Sequence, residues 1–241
     1  MEERQQVQIT FSGGALASFG YSVLFLILFL CILPGGWGAA MLLLWRTGHM
    51  VFADGTRIAF EGRPGRVWVL FAVLALLAYL PTLATLGLAH GGRTDFLKLV
   101  LTLCLIPFEA ALKLPIYRWI IAGIRLEPGG SPRFVATYPA YLGWVLFLGV
   151  SFLTVIGWAW VAVAMLRWFC RNIEADNYSV AFTGTGWGLL WRSLVWVLGM
   201  VCLIPIPWVL RSQYAWWTGH LLLVRHATPM EQAFPAPPVY V

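Results

Sequence analysis

Two charged side chains stand four residues apart within a long apolar segment of the chain. Glu109 precedes Lys113 at a spacing that puts both on one face of a helix, so the carboxylate and the ammonium can form an ion pair. Ionisable groups are costly in an apolar span, and such a pair is therefore a candidate functional site. A structural pair near the end of an over-long helix is the alternative, and we favour it.

Two histidines occupy matching positions, in Thr47-Gly48-His49 and in Thr218-Gly219-His220. Asn172 and Gly123 take the same place in two further segments of the chain. If these positions converge on an axis, paired imidazoles could bind a metal or move a proton. We favour the simpler interpretation that the glycine ends a helix and the histidine caps its last carbonyls. Two histidines without a carboxylate make an incomplete zinc site, so neither a metal nor a cofactor is predicted.

Glycine-containing turns follow three phenylalanines, at Gly13, Gly62 and Gly184. A glycine-rich turn at the start of a helix can hold an anion such as a lipid headgroup phosphate. Ordinary helix capping is the alternative, and we favour it because Ser and Thr flank two of these turns. No nucleophile and base pair, metalloprotease motif or cofactor fingerprint is present, so we expect a protein without catalytic residues that is not an enzyme.

The composition is that of a membrane protein. Hydrophobic residues make up 60% of the chain and charged residues 11%, well below the share of about 25% in soluble domains. The 14 Trp and eight Tyr suit the headgroup level of a bilayer. The net charge of +6 is spread singly along the chain rather than gathered on one face. We therefore expect membrane lipids as partners, and no nucleic acid.

An internal repeat organises the chain. When the sequence is shifted by 171 residues, identical residues fall on each other without a gap, among them Phe11 on Phe182, Trp37 on Trp208, Trp45 on Trp216 and His49 on His220. Two further copies begin at Phe60 and at Phe134. The repeat predicts four strand–helix–helix–strand units, at about residues 7–53, 56–127, 132–174 and 178–226 of a single membrane domain. Residues 227–241 form a Pro-rich tail that we expect to be extended.

The predicted fold class is an α-helical integral membrane protein with about eight transmembrane or half-spanning helices. The first helix of each unit is expected at residues 14–33, 66–90, 138–156 and 186–204, and the second at 37–49, 95–123, 158–171 and 207–219. The first helices are long enough to cross a hydrocarbon core of about 30 Å. The second helices, except for the long one at 95–123, are short.

Short β-hairpins are expected between the units, on the cytoplasmic face. Asp54 and Gly55 form the turn signal of the first, within residues 50–60, and the other two turn at residues 127–131 and 174–177. The lone strands at residues 7–11 and 221–225 would pair with each other if the units surround a pseudo-fourfold axis. Most arginines lie on the strand side, so the positive-inside rule places the strands and both termini in the cytoplasm.

The repeated pattern resembles the YjgN-like family of bacterial inner-membrane proteins. The resemblance is carried by the Phe-Thr-Gly-Thr-Gly segment that begins at Phe182 and by the Ile-Pro-Trp-Val-Leu-Arg segment that ends at Arg211, with weaker copies at Phe11 and Phe134. It covers most of the chain and implies an inner-membrane location and a multi-pass fold. It implies no established activity.

Two functions remain open at this point. The first is a non-catalytic accessory or scaffold component of a membrane protein complex, with protein partners within the bilayer. The alternative is a transporter or channel whose path follows the pseudo-fourfold axis, because repeats and broken helices are common in transporters.

Overall fold

Four successive units build the fold, and each contains a strand, two helices and a second strand. The computed structural model describes residues 5–52, 57–86, 88, 91–127, 130–175, 178–202 and 205–225. Unit one contains β1 (Gln5–Phe11), α1 (Ala15–Leu30), α2 (Gly35–Gly48) and β2 (Met50–Phe52). Unit two contains β3 (Arg57–Phe60), α3 (Trp68–Ala84), α4 (Gly92–Ala122) and β4 (Ile124–Glu127). Unit three contains β5 (Arg133–Phe134), α5 (Tyr138–Ser151), α6 (Trp158–Arg171) and β6 (Ile173–Glu174), and unit four contains β7 (Tyr178–Phe182), α7 (Gly186–Val201), α8 (Ile206–Gly219) and β8 (Leu221–Arg225).

The first helix of each unit is shorter than its apolar segment. α1 ends at Leu30 because Ile32 takes a left-handed conformation with φ 66°, which no helix can continue through. α5 ends at Ser151 in a short 3-10 turn, after which Val155 has φ 64°. The first helices therefore contain 14 to 17 residues and measure about 21 to 26 Å at 1.5 Å per residue.

The predicted eight-span membrane fold is wrong. Among the described helices only α4, with 31 residues, is long and apolar enough to cross a membrane, whereas α1, α3 and α7 have only 16 or 17 residues. The prediction of a multi-pass protein with transmembrane or half-spanning helices is wrong for the same reason. The apolar segments are as long as expected, but backbone breaks at Ile32 and Val155 end α1 and α5 before they reach the required length. The second helices lie within three residues of their predicted positions.

Most of the strands form one antiparallel sheet in place of the expected separate hairpins. Its six strands lie in the order β2-β1-β8-β7-β6-β5, and β3 and β4 form a second sheet. The first and last strands of the chain are neighbours, with Val7 opposite Leu223 and Gln8 opposite Leu222. The predicted pairing of these two strands is confirmed.

The expected hairpins form only in part. β2 pairs with β1 and β3 pairs with β4, so the two strands on either side of residues 54–55 belong to different sheets. A single bridge, Leu126 to Gly130, is described between β4 and the segment before β5, and β6 meets β7 at Glu174 and Ser179. The turn residues 54–55, 128–129 and 176–177 and the tail 227–241 lie outside the described residues.

One apolar core lies beneath both sheets. It draws buried side chains from the first, second, fourth, seventh and eighth strands: Val7, Ile9, Phe52, Leu126, Tyr178 and Leu223. Ile58 of β3 packs against the same cluster. Both sheets therefore supply side chains to this core. The strands of units one, two and four meet around it, whereas the short strands of unit three supply none of these buried side chains.

The helices follow one another around the molecule and leave many apolar side chains uncovered. Each helix packs against its neighbours in the chain, and α1 packs against α8, so the succession closes on itself. All eight helices carry exposed large apolar side chains, as Leu198 of α7 does at 68% exposure. In the described strands, Val51 of β2 is the one large apolar residue with comparable exposure. The helical part and the sheet part therefore present chemically different surfaces.

The register of β1 against β8 gives a direct test of this closure. In a variant without the native cysteines, Gln8→Cys with Leu222→Cys should form a disulfide on mild oxidation, because directly opposed residues of antiparallel strands have Cα atoms about 4.5 to 5.5 Å apart. Thr10→Cys with Leu222→Cys, two residues out of register, is the matched control and should form far less. Disulfide yield is read from non-reducing gels. Equal yields in the two variants would contradict the register.

Candidate functional site

The four units repeat one hydrogen bond where their helices meet their strands. We call this region of each unit the helix–sheet junction: the repeated Phe, the residue after it, and the residue that follows the second helix. The backbone N–H of the residue after the Phe donates to the carbonyl of the residue that follows the second helix. The donor–acceptor distances are 2.9 Å from Ser12 to His49, 2.8 Å from Glu61 to Gly123, 3.0 Å from Val135 to Asn172 and 2.9 Å from Thr183 to His220.

The histidines predicted as axial or capping residues lie at these junctions. His49 Nδ1 lies 2.8 Å from the carbonyl oxygen of Trp45, and His220 Nδ1 lies 2.8 Å from that of Trp216. A carbonyl can only accept, so Nδ1 carries the proton and donates in both cases. Asn172 makes the same contact in unit three, where Nδ2 donates to Trp168 at 2.8 Å. His49, His220 and Asn172 thus cap the last turn of the second helix of their units in the same way.

The two imidazoles are engaged by their own units and not by each other. The ring centroid of His49 lies 4.9 Å from that of Trp45, and His220 lies 4.7 Å from Trp216. Within the described ranges, no hydrogen bond or ring contact joins His49 to His220, and no group of three or more His, Cys, Asp or Glu is placed to hold a metal ion. The geometry has the form of a helix cap, and the proposed axial pair stays a prediction.

The glycine of each Phe-x-Gly turn makes room for the phenylalanine ring. A Cβ atom on Gly184 would stand 2.5 Å from Cε1 of Phe182, and one on Gly13 or Gly62 would overlap the preceding Phe in the same way. The ring of Phe182 is thereby free to pack edge-on against Trp216, with 6.0 Å between centroids. These turns are sites of close packing, and their proposed contact with lipid headgroups stays a prediction.

Three arginines, for which the sequence predicted no such role, tie the junctions of units one, three and four to the unit before each. Arg211 donates to the carbonyl of Gly13 at 2.9 Å and Arg167 to that of Gly184 at 2.9 Å. Arg118 donates to the carbonyl of Ala136, the residue in unit three that corresponds to these glycines, at 3.0 Å. The available signal was an arginine immediately before the repeated Trp in units two and three.

The predicted pair Glu109–Lys113 is formed on α4. Nζ of Lys113 lies 2.7 Å from Oε2 of Glu109, and the two side chains are 38% and 27% exposed respectively. The other described ion pair, Arg125 with Glu61, is more exposed and lies on the sheet side. Glu109 and Lys113 satisfy each other, and whether the pair has a function stays a prediction.

No family model, curated protein or solved structure matches this chain. The resemblance to the YjgN-like family therefore stays a prediction based on the short segments at Phe182 and Arg211.

Filling the space beside Phe182 should destabilise the protein. We expect Gly184→Ala to lower the free energy of unfolding by about 1 to 3 kcal/mol, because the added methyl group forces the ring to move. Gly143→Ala in α5 is the matched control: its Cβ would meet nothing within 4 Å, and it should stabilise by about 0.5 to 1 kcal/mol. Denaturant unfolding in neutral detergent measures both. A cost that persists unchanged in a Phe182→Leu background would contradict this cause.

Asparagine should replace histidine at the junction without loss of stability. Because Asn172 makes the bond that His49 and His220 make, the double variant His49→Asn/His220→Asn should unfold within about 0.5 kcal/mol of the wild type, whereas the double alanine variant should lose about 1 kcal/mol for each bond. The free energy of unfolding of each variant is measured by denaturant unfolding in neutral detergent. Equal losses of unfolding free energy in the two variants would refute the capping role and favour a role that needs the imidazole ring itself.

Proposed function

We propose that the chain is a non-catalytic accessory or scaffold component of a membrane assembly, held at a lipid bilayer by the exposed apolar faces of its helices. One observation carries this proposal: large apolar side chains are exposed on all eight helices, whereas the strands show little of this exposure. Soluble monomers rarely expose apolar patches of more than a few hundred square ångströms. Hydrocarbon is the environment that removes the cost of such a surface.

The long helix supports attachment to a bilayer. In the most apolar window of α4 only 17% of the residues are buried within the protein. A core helix of a soluble protein of similar apolar character would be mostly buried, because other elements would cover it. Exposed side chains such as Phe96, Leu103 and Phe108 instead lie on its open faces. Lipid and apolar surfaces of partner proteins are the two coverings that suit them.

The charges suggest which side of the membrane the sheet occupies. Exposed arginines gather around the junctions and the sheet, where the carboxylates of Glu61 and Glu174 offset only part of their charge: Arg63, Arg118, Arg125, Arg133, Arg167 and Arg171. A cytoplasmic leaflet rich in anionic lipids attracts such a surface. As part of the proposal we place the protein at the bacterial inner membrane, with the sheet and both termini on the cytoplasmic side.

Transport is the second candidate, and the Glu109–Lys113 pair favours it. A salt bridge of 2.7 Å in the middle of α4, the one long apolar helix among the described residues, is costly in hydrocarbon, and ionisable groups at such positions often line a transport path. Tyr117 continues this face of α4 one turn later and contacts Tyr141 of α5 with 5.8 Å between ring centroids. Solute flux into proteoliposomes that depends on Glu109 would distinguish transport from a scaffold role.

An arginine on a helix face should detach the protein from lipid, and one on the sheet should not. Leu198→Arg places a charge in hydrocarbon at a cost of about 3 kcal/mol, so the partition coefficient on neutral phosphatidylcholine vesicles should fall at least tenfold. Val51→Arg, also at an exposed apolar residue but on β2, should change it less than twofold. Vesicle flotation over a series of lipid concentrations measures both variants.

The outcomes of this experiment separate the two parts of the proposal. A wild-type chain that fails to float, or equal losses in the two variants, would reject attachment through the helices. The assembly role is read from cross-linked native membranes: a component should migrate well above the 26.9 kDa of one chain. A chain that floats but stays at this mass would retain the attachment and reject the scaffold.

A further inference from the structure

The described residues that line a cleft at the junction between units three and four include two arginines and no carboxylate. The cleft has a volume of about 350 Å³ and is lined by Arg167 and Arg171 of α6 and by Val180, Ala181 and Phe182 of β7. Residues four apart on a helix share a face, so both guanidinium groups project toward the same opening. Two positive charges side by side repel each other, and an anion between them would relieve that repulsion.

The two guanidinium groups differ in the contacts that they already make within the described part of the protein. Arg167 uses one N–H, on Nη2, to hold the carbonyl of Gly184 at 2.9 Å. A guanidinium has five N–H donors, so four remain for a ligand while this bond fixes the position of the group. For Arg171 the described residues provide no carboxylate within 4 Å, and its side chain is exposed.

Other arginines in the helices are already engaged and make poorer candidates. The guanidinium of Arg46 lies 4.3 Å from the ring centroid of Tyr214, and that of Arg192 lies 5.6 Å from the ring of Trp216. Arg118 and Arg211 each donate to a junction carbonyl and have no second arginine one helical turn further on. Among the helix arginines that the structure describes, the pairing of one anchored and one uncommitted arginine is found in unit three.

We propose that Arg167 and Arg171 bind a phosphate group, and that its source is the headgroup of an anionic phospholipid. The planar guanidinium fork matches phosphate oxygens in pairs, which makes arginine the preferred residue for this ligand. The other wall of the cleft, Val180, Ala181 and Phe182, is largely apolar. An amphiphilic phosphate diester satisfies both walls, whereas free phosphate satisfies only the arginines.

The position of the cleft agrees with this ligand. It lies where α6 ends and β7 ends, at the boundary between the apolar helices and the sheet. A bilayer that covers the helices would place its headgroups at this boundary, so the inference rests on the proposed attachment to lipid. The volume falls at the small end of ordinary ligand sites, which suits a headgroup and not a whole lipid.

The test titrates soluble short-chain lipids into the full-length protein in neutral detergent and follows the thermal unfolding midpoint. Dioctanoyl phosphatidylglycerol should raise the midpoint, and Arg167→Gln/Arg171→Gln should weaken its apparent affinity at least tenfold, since it removes the direct charge-assisted hydrogen bonds to the phosphate. Arg171→Gln alone keeps the bond to Gly184 and should weaken the affinity several-fold without lowering the midpoint in the absence of lipid. Arg63→Gln/Arg133→Gln removes the same charge elsewhere on the sheet side and should change the affinity less than twofold.

Two further arms identify the source of the phosphate. Inorganic phosphate, and dioctanoyl phosphatidylcholine as the zwitterionic lipid, should give little stabilisation. Stabilisation by inorganic phosphate equal to that by phosphatidylglycerol would overturn the lipid assignment. Equal weakening in the control variant, or no response to phosphatidylglycerol, would overturn the site. Flotation on neutral vesicles is the independent readout: if it persists while the titration fails, only the arginine site is rejected.

Discussion

The hydrogen bond between the two ends of each unit is the constraint on which the rest of the fold depends. It joins the start of the first helix to the end of the second, as Thr183 joins His220 at 2.9 Å, and it fixes where the strand before the first helix meets the strand after the second. The two strands of a unit then pair with each other, as β7 does with β8 from Phe182 and Leu221 onward. This pairing explains why β2 and β3 belong to different sheets despite the strong turn signal between them.

Closure of the chain follows from repeating that constraint. Each unit begins and ends with a strand, and its two strands pair with each other, so β1 and β8 would be open edges unless they met. β1 and β8 pair instead, and α1 packs on α8. Ser22 and Tyr214 add a hydroxyl–hydroxyl contact of 2.6 Å between the same two units. The bond from Arg211 to Gly13 repeats at this join the link that Arg167 makes to Gly184.

The sequence predicted what depends on repetition and missed what depends on local backbone geometry. A shift of 171 residues aligns His49 with His220 and thereby anticipates their shared role, as well as the pairing of the terminal strands. It does not reveal that Ile32 takes φ 66°, because a β-branched residue rarely adopts that conformation. The first helices were therefore predicted too long. The arginine links were missed because Arg118 stands one residue before its Trp and Arg211 five before.

The backbone also decides which part of the molecule can lie against hydrocarbon. A helix satisfies its own N–H and C=O groups, so an apolar helix surface can be covered by lipid at no cost in hydrogen bonds. The six-stranded sheet ends at β2 and β5, and an edge strand leaves N–H and C=O groups that need water or another partner. In the proposed attachment to a bilayer, the boundary between lipid and water would therefore fall at the helix–sheet junctions. Arginine is the residue type best suited to that depth, because its apolar stem can lie along the helices while its guanidinium reaches the phosphates.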